Sequence, residues 1–165
     1  VRITYLGELG YELYIPAEQA THVYDEILKV GLDMGLRHAG LKALASLRME
    51  KGYRDYGHDI DNTDNAFETG LGFAVDFKKP DGFIGREAAL RQKESAPYKR
   101  RLVQLQVLDP QPMLFHAEVV HRDGKPVAYV RAGSYGHTLG GAGGLVMLEA
   151  GEPVDQKYVD TGKWE

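Results

Sequence analysis

The stretch Tyr5-Leu6-Gly7-Glu8-Leu9-Gly10-Tyr11-Glu12 holds the residues best suited to grip a ligand. A carboxylate such as Glu12, held inside a concave site, offers two acceptor oxygens to two adjacent N–H donors. An amidine-like edge of a heterocycle presents such a pair, and charge assistance makes the pairing strong. Tyr5 and Tyr53 could add aromatic walls with a polar tip. A plainer reading stays open: alternation puts Glu12 on the face opposite Tyr11 and Leu13, so a strand packed through its Tyr11 face leaves Glu12 in water.

Other constellations carry less. The six histidines, at 22, 38, 58, 116, 121 and 137, include no helical pair four apart with an intervening Glu, so no zincin-type metal site is expected. The run Asp59-Ile60-Asp61-Asn62-Thr63-Asp64-Asn65 lacks the central glycine and terminal glutamate of a calcium loop, and such residues shape turns through their own backbone. Gly140-Gly141-Ala142-Gly143-Gly144 is followed by no Lys-Ser or Lys-Thr and opens no helix. It therefore reads as a flexible hairpin loop rather than a phosphate loop. No G-x-S-x-G nucleophile turn is present.

The elements that must position these residues follow from periodicity. Ile3 and Tyr5, then Tyr11, Leu13 and Ile15, predict two strands around a glycine-bearing turn. Pro16 stops the second strand and opens a helix in which Ala20, Val23, Tyr24, Ile27 and Leu28 form one apolar stripe, ended by Gly31 or Gly35. A second helix is predicted from about Ala39 to Lys51, with Gly52 at its C-terminal cap. Residues 53 to 82 are loop-rich, except that Leu71, Phe73, Val75 and Phe77 alternate as a strand. A short helix is predicted from Glu87 to Lys93, and the polar, proline-bearing stretch from Glu94 to Arg101 reads as a linker. Beyond it, Leu102 to Leu108 alternates, and Glu118 to His121 and Pro126 to Val130 flank Asp123-Gly124 as a hairpin. The glycine run then breaks the pattern before Leu145 to Leu148, so the tail is expected to be all-β, a sandwich or small barrel. The fold class is α+β.

Composition bounds the function classes. With 165 residues and no cysteine, the chain has no disulfide, no thiolate metal site and no cysteine nucleophile. It carries 20 Lys plus Arg against 24 Asp plus Glu, and this balance argues against a nucleic-acid binder. Its apolar stretches are too short to span a bilayer. The lack of cysteine fits a reducing interior, and the expected location is cytoplasmic. The chain opens on Val1 within an apparent strand and closes on a turn with the first residues of another, so it reads as a piece of a longer polypeptide.

Five segments, in order, resemble the folate-binding aminomethyltransferase family, the T-protein of the glycine cleavage system and its relatives. Residues 5–12 resemble its Y-T-G-E-x-G-x-E turn, and Leu47-Arg48-Met49-Glu50 its L-R-L-E segment. Tyr56-Gly57-His58-Asp59-Ile60-Asp61 is similar to Y-G-x-D-I/M-D, Phe67-Glu68-Thr69-Gly70-Leu71 to P-x-E-A-G-L, and Phe83-Ile84-Gly85-Arg86-Glu87-Ala88 to F-I-G-R/K-x-A. Ala43-Leu44-Ala45 departs from the A-R-D of glycine-cleavage proteins, and a leucine cannot replace the folate-contacting arginine's hydrogen bonds. Glu50-Lys51-Gly52-Tyr53-Arg54 instead resembles the E-K-G-Y-R of dimethylglycine and sarcosine dehydrogenases.

The resemblance implies the back half of a folate-binding domain over residues 1–95 and a small β-barrel or jelly-roll-like domain over 96–165, truncated at its end. It implies tetrahydrofolate as cofactor, with Glu12 pairing with the pterin's N–H groups and Tyr5 and Tyr53 lining the channel. FAD would sit in a preceding domain, not in this chain. The family's aspartate beside the reacting folate nitrogen would lie upstream of Val1, so no catalytic residue is assigned here. Arg54 inherits no contact and reads as a solvated surface residue. The implied activity is folate-dependent capture of the one-carbon unit from oxidative N-demethylation. The partners would be the folate and an N-methyl amine, with neither nucleic acid nor membrane, and a homo-oligomer is left open. The competing readings are a stand-alone aminomethyltransferase or demethylase, and a non-catalytic relative like the regulatory subunit of pyruvate dehydrogenase phosphatase.

Overall fold

The computed structural model describes residues 5–165, which form two compact units, one up to Tyr53 and the other Arg54–Glu165. The first expected strand, at Val1 to Thr4, lies outside the described residues.

In the first unit, residues 5–10 turn through Gly7, whose φ is 87°. A Cβ at Gly7 would stand 2.3 Å from Lys51 Cγ and 3.2 Å from the Leu47 carbonyl oxygen, so this turn packs directly on the helix that follows later in the chain. Residues 12–16 run without regular structure rather than as the expected second strand, and Tyr11 makes a lone bridge. A strand is defined by its ladder partner, and alternation alone does not supply one. Helix α1 spans Ala17–Gly31, with Pro16 at its N-cap where a missing N–H costs nothing. A 3₁₀ turn over Leu32–Met34 follows, and Gly35 closes it in the left-handed region at φ 80°. Helix α2 spans Leu41–Glu50 and buries Ser46, Arg48 and Met49; Gly52, at φ 63°, lies just past its end.

The second unit opens with a loop whose Asx side chains are spent on turns. Asp61 accepts from the Thr63 N–H and hydroxyl, at 2.7 and 2.6 Å, and Asn65 accepts from the N–H groups of Phe67 and Glu68, both at 2.9 Å. The strand expected over Leu71 to Phe77 is instead a 3₁₀ turn at Gly72–Ala74. Gly70 enters the left-handed region at φ 74°, and Phe67 stacks on Phe77, so these apolar residues pack locally rather than across a ladder. Helix α3 is Arg86–Glu94.

Four strands follow: β1 (Arg100–Gln106), β2 (Val119–Arg122), β3 (Lys125–Gly136) and β4 (Gly141–Glu149). They form one antiparallel sheet in the order β1-β4-β3-β2. The glycine run is not a flexible loop: all but Gly140 belong to β4, which is buried from Gly141 to Leu148. A Cβ at Gly133 of β3 would stand 2.6 Å from the Leu114 carbonyl carbon, and one at Gly144 would stand 3.2 Å from the Ala132 oxygen. These glycines let neighbouring backbones close on the sheet.

The tail is the expected β region with one short addition, helix α4 (Gln156–Thr161), whose Tyr158 joins the core. Asp155 caps it by accepting from the Tyr158 N–H at 2.8 Å. Val120, Val130, Val146, Leu148, Val154 and Tyr158 make the core, with Trp164 against it. The last residues pair with β2, the N–H groups of His121 and Glu165 each donating to the other's carbonyl, at 2.7 and 3.0 Å. The molecule is a mixed α+β protein with an antiparallel sheet.

Candidate functional site

The residues proposed to hold a ligand all fall in the first unit, and Arg48 brings two of them together. Helix α2 turns Arg48 inward, where it is 6% exposed. Its guanidinium carbon lies 5.9 Å from the centre of the Tyr5 ring, a cation–π distance. Its Nη1 donates to the Tyr53 carbonyl oxygen at 2.9 Å, and the Tyr53 N–H donates back to the Arg48 carbonyl at 3.1 Å. One buried cation thus fixes both ends of the segment, the ring of Tyr5 and the backbone of Tyr53. Tyr5 is half-buried, and Tyr53 is 38% exposed, so its ring remains open to a partner.

Glu12 is held by a different contact. Its side chain is exposed, and its Oε2 accepts from the Tyr14 hydroxyl at 2.7 Å. The carboxylate beside it keeps the Tyr14 phenol above its ordinary value, first through this hydrogen bond and then through charge. Glu12 and Tyr14 line a hollow of about 360 Å³ with Leu13, Ile15 and Val23. Tyr11 and Leu13 are 68% and 60% exposed, so the segment is not packed through the face opposite Glu12. A second hollow, about 560 Å³, belongs to the sheet of the second unit and contains none of Tyr5, Glu12 or Tyr53.

Arg48 and Tyr14 were not singled out from the sequence as ligand-site residues. Arg48 falls at helical spacing with Leu41, Leu44 and Leu47 and within the L-R-M-E segment, but neither fact assigns it a contact. Tyr14 had a usable signal: in extended backbone, residues two apart share a face.

Other expectations resolve in the second unit. Arg54 is half-buried rather than a solvated surface residue: its Nε donates to the Thr69 carbonyl at 3.0 Å, and its Nη2 would lie 2.9 Å from a Cβ at Gly70. Desolvation lowers its pKa, partly offset by Asp59. Asp59 is fully buried, its Oδ2 accepting from the Asp55 N–H and its Oδ1 lying 2.9 Å from His58 Nδ1. Asp64, with a side chain 1% exposed, lies between two guanidinium groups, Arg131 Nη1 at 2.6 Å and Arg100 Nη2 at 3.0 Å. Among the described residues, no group of three or more His, Asp or Glu is placed to hold a metal ion, and no helix is long and apolar enough to cross a membrane.

The chain matches two family models, the GCVT N-terminal domain over residues 1–79 and the glycine cleavage T-protein C-terminal barrel domain over residues 100–163. It is 46% identical over 149 residues to 4-methylaminobutanoate oxidase (formaldehyde-forming) of Paenarthrobacter nicotinovorans, a match covering 90% of this chain and 18% of that protein. It is 37% identical over 166 residues to the mitochondrial sarcosine dehydrogenase of Homo sapiens, covering 99% of this chain and 18% of that one. The solved glycine cleavage system aminomethyltransferase T from Bartonella henselae superposes with a TM-score of 0.77 at 25% identity, over 88% of this chain and 40% of its own. The chain therefore spans less than a fifth of the two curated relatives named.

Proposed function

Since the chain belongs to the glycine cleavage T-protein family, we propose that it is the part of an FAD-dependent sarcosine or dimethylglycine dehydrogenase-like enzyme that holds tetrahydrofolate. In this reading, residues 1–95 belong to the folate-holding domain and 96–165 to a β-barrel domain, and the flavin is bound by polypeptide outside this chain, in the cytoplasm. The observation that supports it best is the first unit's arrangement: a carboxylate at the wall of a hollow, and two tyrosines tied to one buried arginine.

By chemical type these side chains suit a reduced pterin. Glu12 is an acceptor for two adjacent N–H groups, a role that a hydroxyl or amide side chain fills more weakly. Tyr5 and Tyr53 offer ring faces to a flat heterocycle. Arg48 acts on the folate only by fixing these walls. When bound, tetrahydrofolate supplies the nucleophilic nitrogen that accepts the one-carbon unit. The work of these residues is to bind and orient it, so proximity is the catalytic contribution.

Calorimetric titration of a tetrahydrofolate analogue into the full-length protein tests the assignment. Glu12→Ala is expected to weaken binding roughly ten- to hundredfold through loss of a charge-assisted pair. Unchanged binding would return Glu12 to the role of a surface carboxylate. Product analysis tests the reaction: with an N-methyl amine and tetrahydrofolate, the carbon should leave on the folate, and Glu12→Ala should divert it to free formaldehyde. Formaldehyde alone from the wild type would favour an oxidase with no folate capture.

A further inference from the structure

Glu12 is useful as a two-point acceptor only if its carboxylate plane is fixed before the ligand arrives. A glutamate on an exposed, irregular segment has three side-chain torsions to lose, and each immobilised side chain of this kind costs binding free energy. Around Glu12 the structure supplies a restraint. The Tyr14 hydroxyl lies 2.7 Å from Oε2, and both side chains face the same hollow. Tyr14 is 76% exposed, so core packing does not explain its position. A carboxylate oxygen has two lone pairs, so Oε2 can accept from Tyr14 and from a ligand N–H together.

Resting on the folate reading above, we infer that Tyr14 is a positioning residue: its hydroxyl holds the Glu12 carboxylate in the orientation that receives the two N–H donors of the heterocycle. An ordinary phenol is protonated through the neutral range and so remains a donor, and the adjoining carboxylate opposes its ionisation further. Among the described residues, Glu12 is the charged group that acts on the Tyr14 hydroxyl. The contact strengthens when a bound heterocycle displaces water from it, because the local dielectric falls.

The test uses the full-length protein, with 5-formyltetrahydrofolate as the probe and calorimetry as the readout. Tyr14→Phe keeps the ring and removes the donor. It is expected to weaken binding about three- to tenfold with an unchanged circular dichroism spectrum. On a Glu12→Ala background the same change should have no further effect, since nothing is left to position. The ratio of wild-type to Tyr14→Phe affinity should stay constant through neutral pH and collapse above the ordinary phenol value of about 10, where Tyr14 would become an anion facing Glu12. Taking the ratio cancels the ligand's own titration.

If Glu12→Ala weakens binding and Tyr14→Phe does not, the positioning role is overturned and the folate site stands. An equal loss from Tyr14→Phe with and without Glu12 would also overturn it, leaving Tyr14 as a wall of the site. If the wild type does not bind the probe, both readings fall.

Discussion

Two arginines illustrate how single residues carry this protein. Arg48 is buried and divides its guanidinium between a ring face and a carbonyl oxygen. Lysine keeps the charge but loses the planar fork, so Arg48→Lys is expected to cost about 1–3 kcal/mol in urea unfolding and, on the folate reading, to weaken binding of the folate by displacing the tyrosines. Arg131 shares Asp64 with Arg100. Burial alone would raise the Asp64 pKa, but the Arg131 hydrogen bond, the Asp61 N–H and the two guanidinium charges outweigh it and hold the carboxyl below the usual range. The native pKa is depressed, so the stabilisation is complete above the unfolded value of about 3.9 and is lost as pH falls through the native value. Acid unfolding followed by fluorescence should therefore show a transition below the ordinary carboxylate range. Asp64→Asn should remove Asp64's share of that pH dependence and lower stability by about 1.5–3 kcal/mol at neutral pH, because it takes away the anion that Arg131 and Arg100 share, although Arg100 keeps Glu68 and Glu149, each at 3.4 Å.

Elements fail or succeed here according to what packs against them. Leu71 to Phe77 alternates perfectly for a strand, yet it forms a 3₁₀ turn because Phe67 and Phe77 bury each other nearby. The glycine run reads as a loop by composition, yet it is a buried strand in which Gly141 and Gly144 admit neighbouring backbone that a side chain would crowd, as Gly133 does on the adjoining β3. Gly133→Ala is the sharpest check. The added methyl would meet the Leu114 backbone, which cannot swing aside as a flexible side chain can, and overpacking of this kind typically costs about 1–3 kcal/mol. Thermal unfolding that leaves the midpoint unchanged would mean that residue 114 moves freely.

For the molecule as a whole, the folate reading predicts a linkage effect on stability. A ligand that binds only the native state should add about 2.7 kcal/mol at one hundred times its dissociation constant. Thermal melting of the full-length protein with and without 5-formyltetrahydrofolate should show this increment in the wild type and lose it in Glu12→Ala. The net charge of -4 leaves room for an acidic cofactor only if local donors overcome the average field, which is the task this reading gives to the first unit's own side chains.

Helices α1, α2 and α3, and the hairpin of β2 and β3, were legible in the sequence because proline, glycine and apolar spacing act within a few residues of one another. The family was legible too, from five motifs in order, and the matched models bear it out. The choice of Tyr5, Glu12 and Tyr53 as ligand residues rests on chemical type and on the resemblance, and it stays a proposal. The tertiary structure decided the rest. The burial of Arg48, the insertion of Asp64 between Arg100 and Arg131, and the strand made of glycines all depend on partners distant in sequence or on backbone clearance. Periodicity reports how a segment would distribute its side chains, whereas the residues that meet a buried charge are selected by chain closure over 36 and 67 positions.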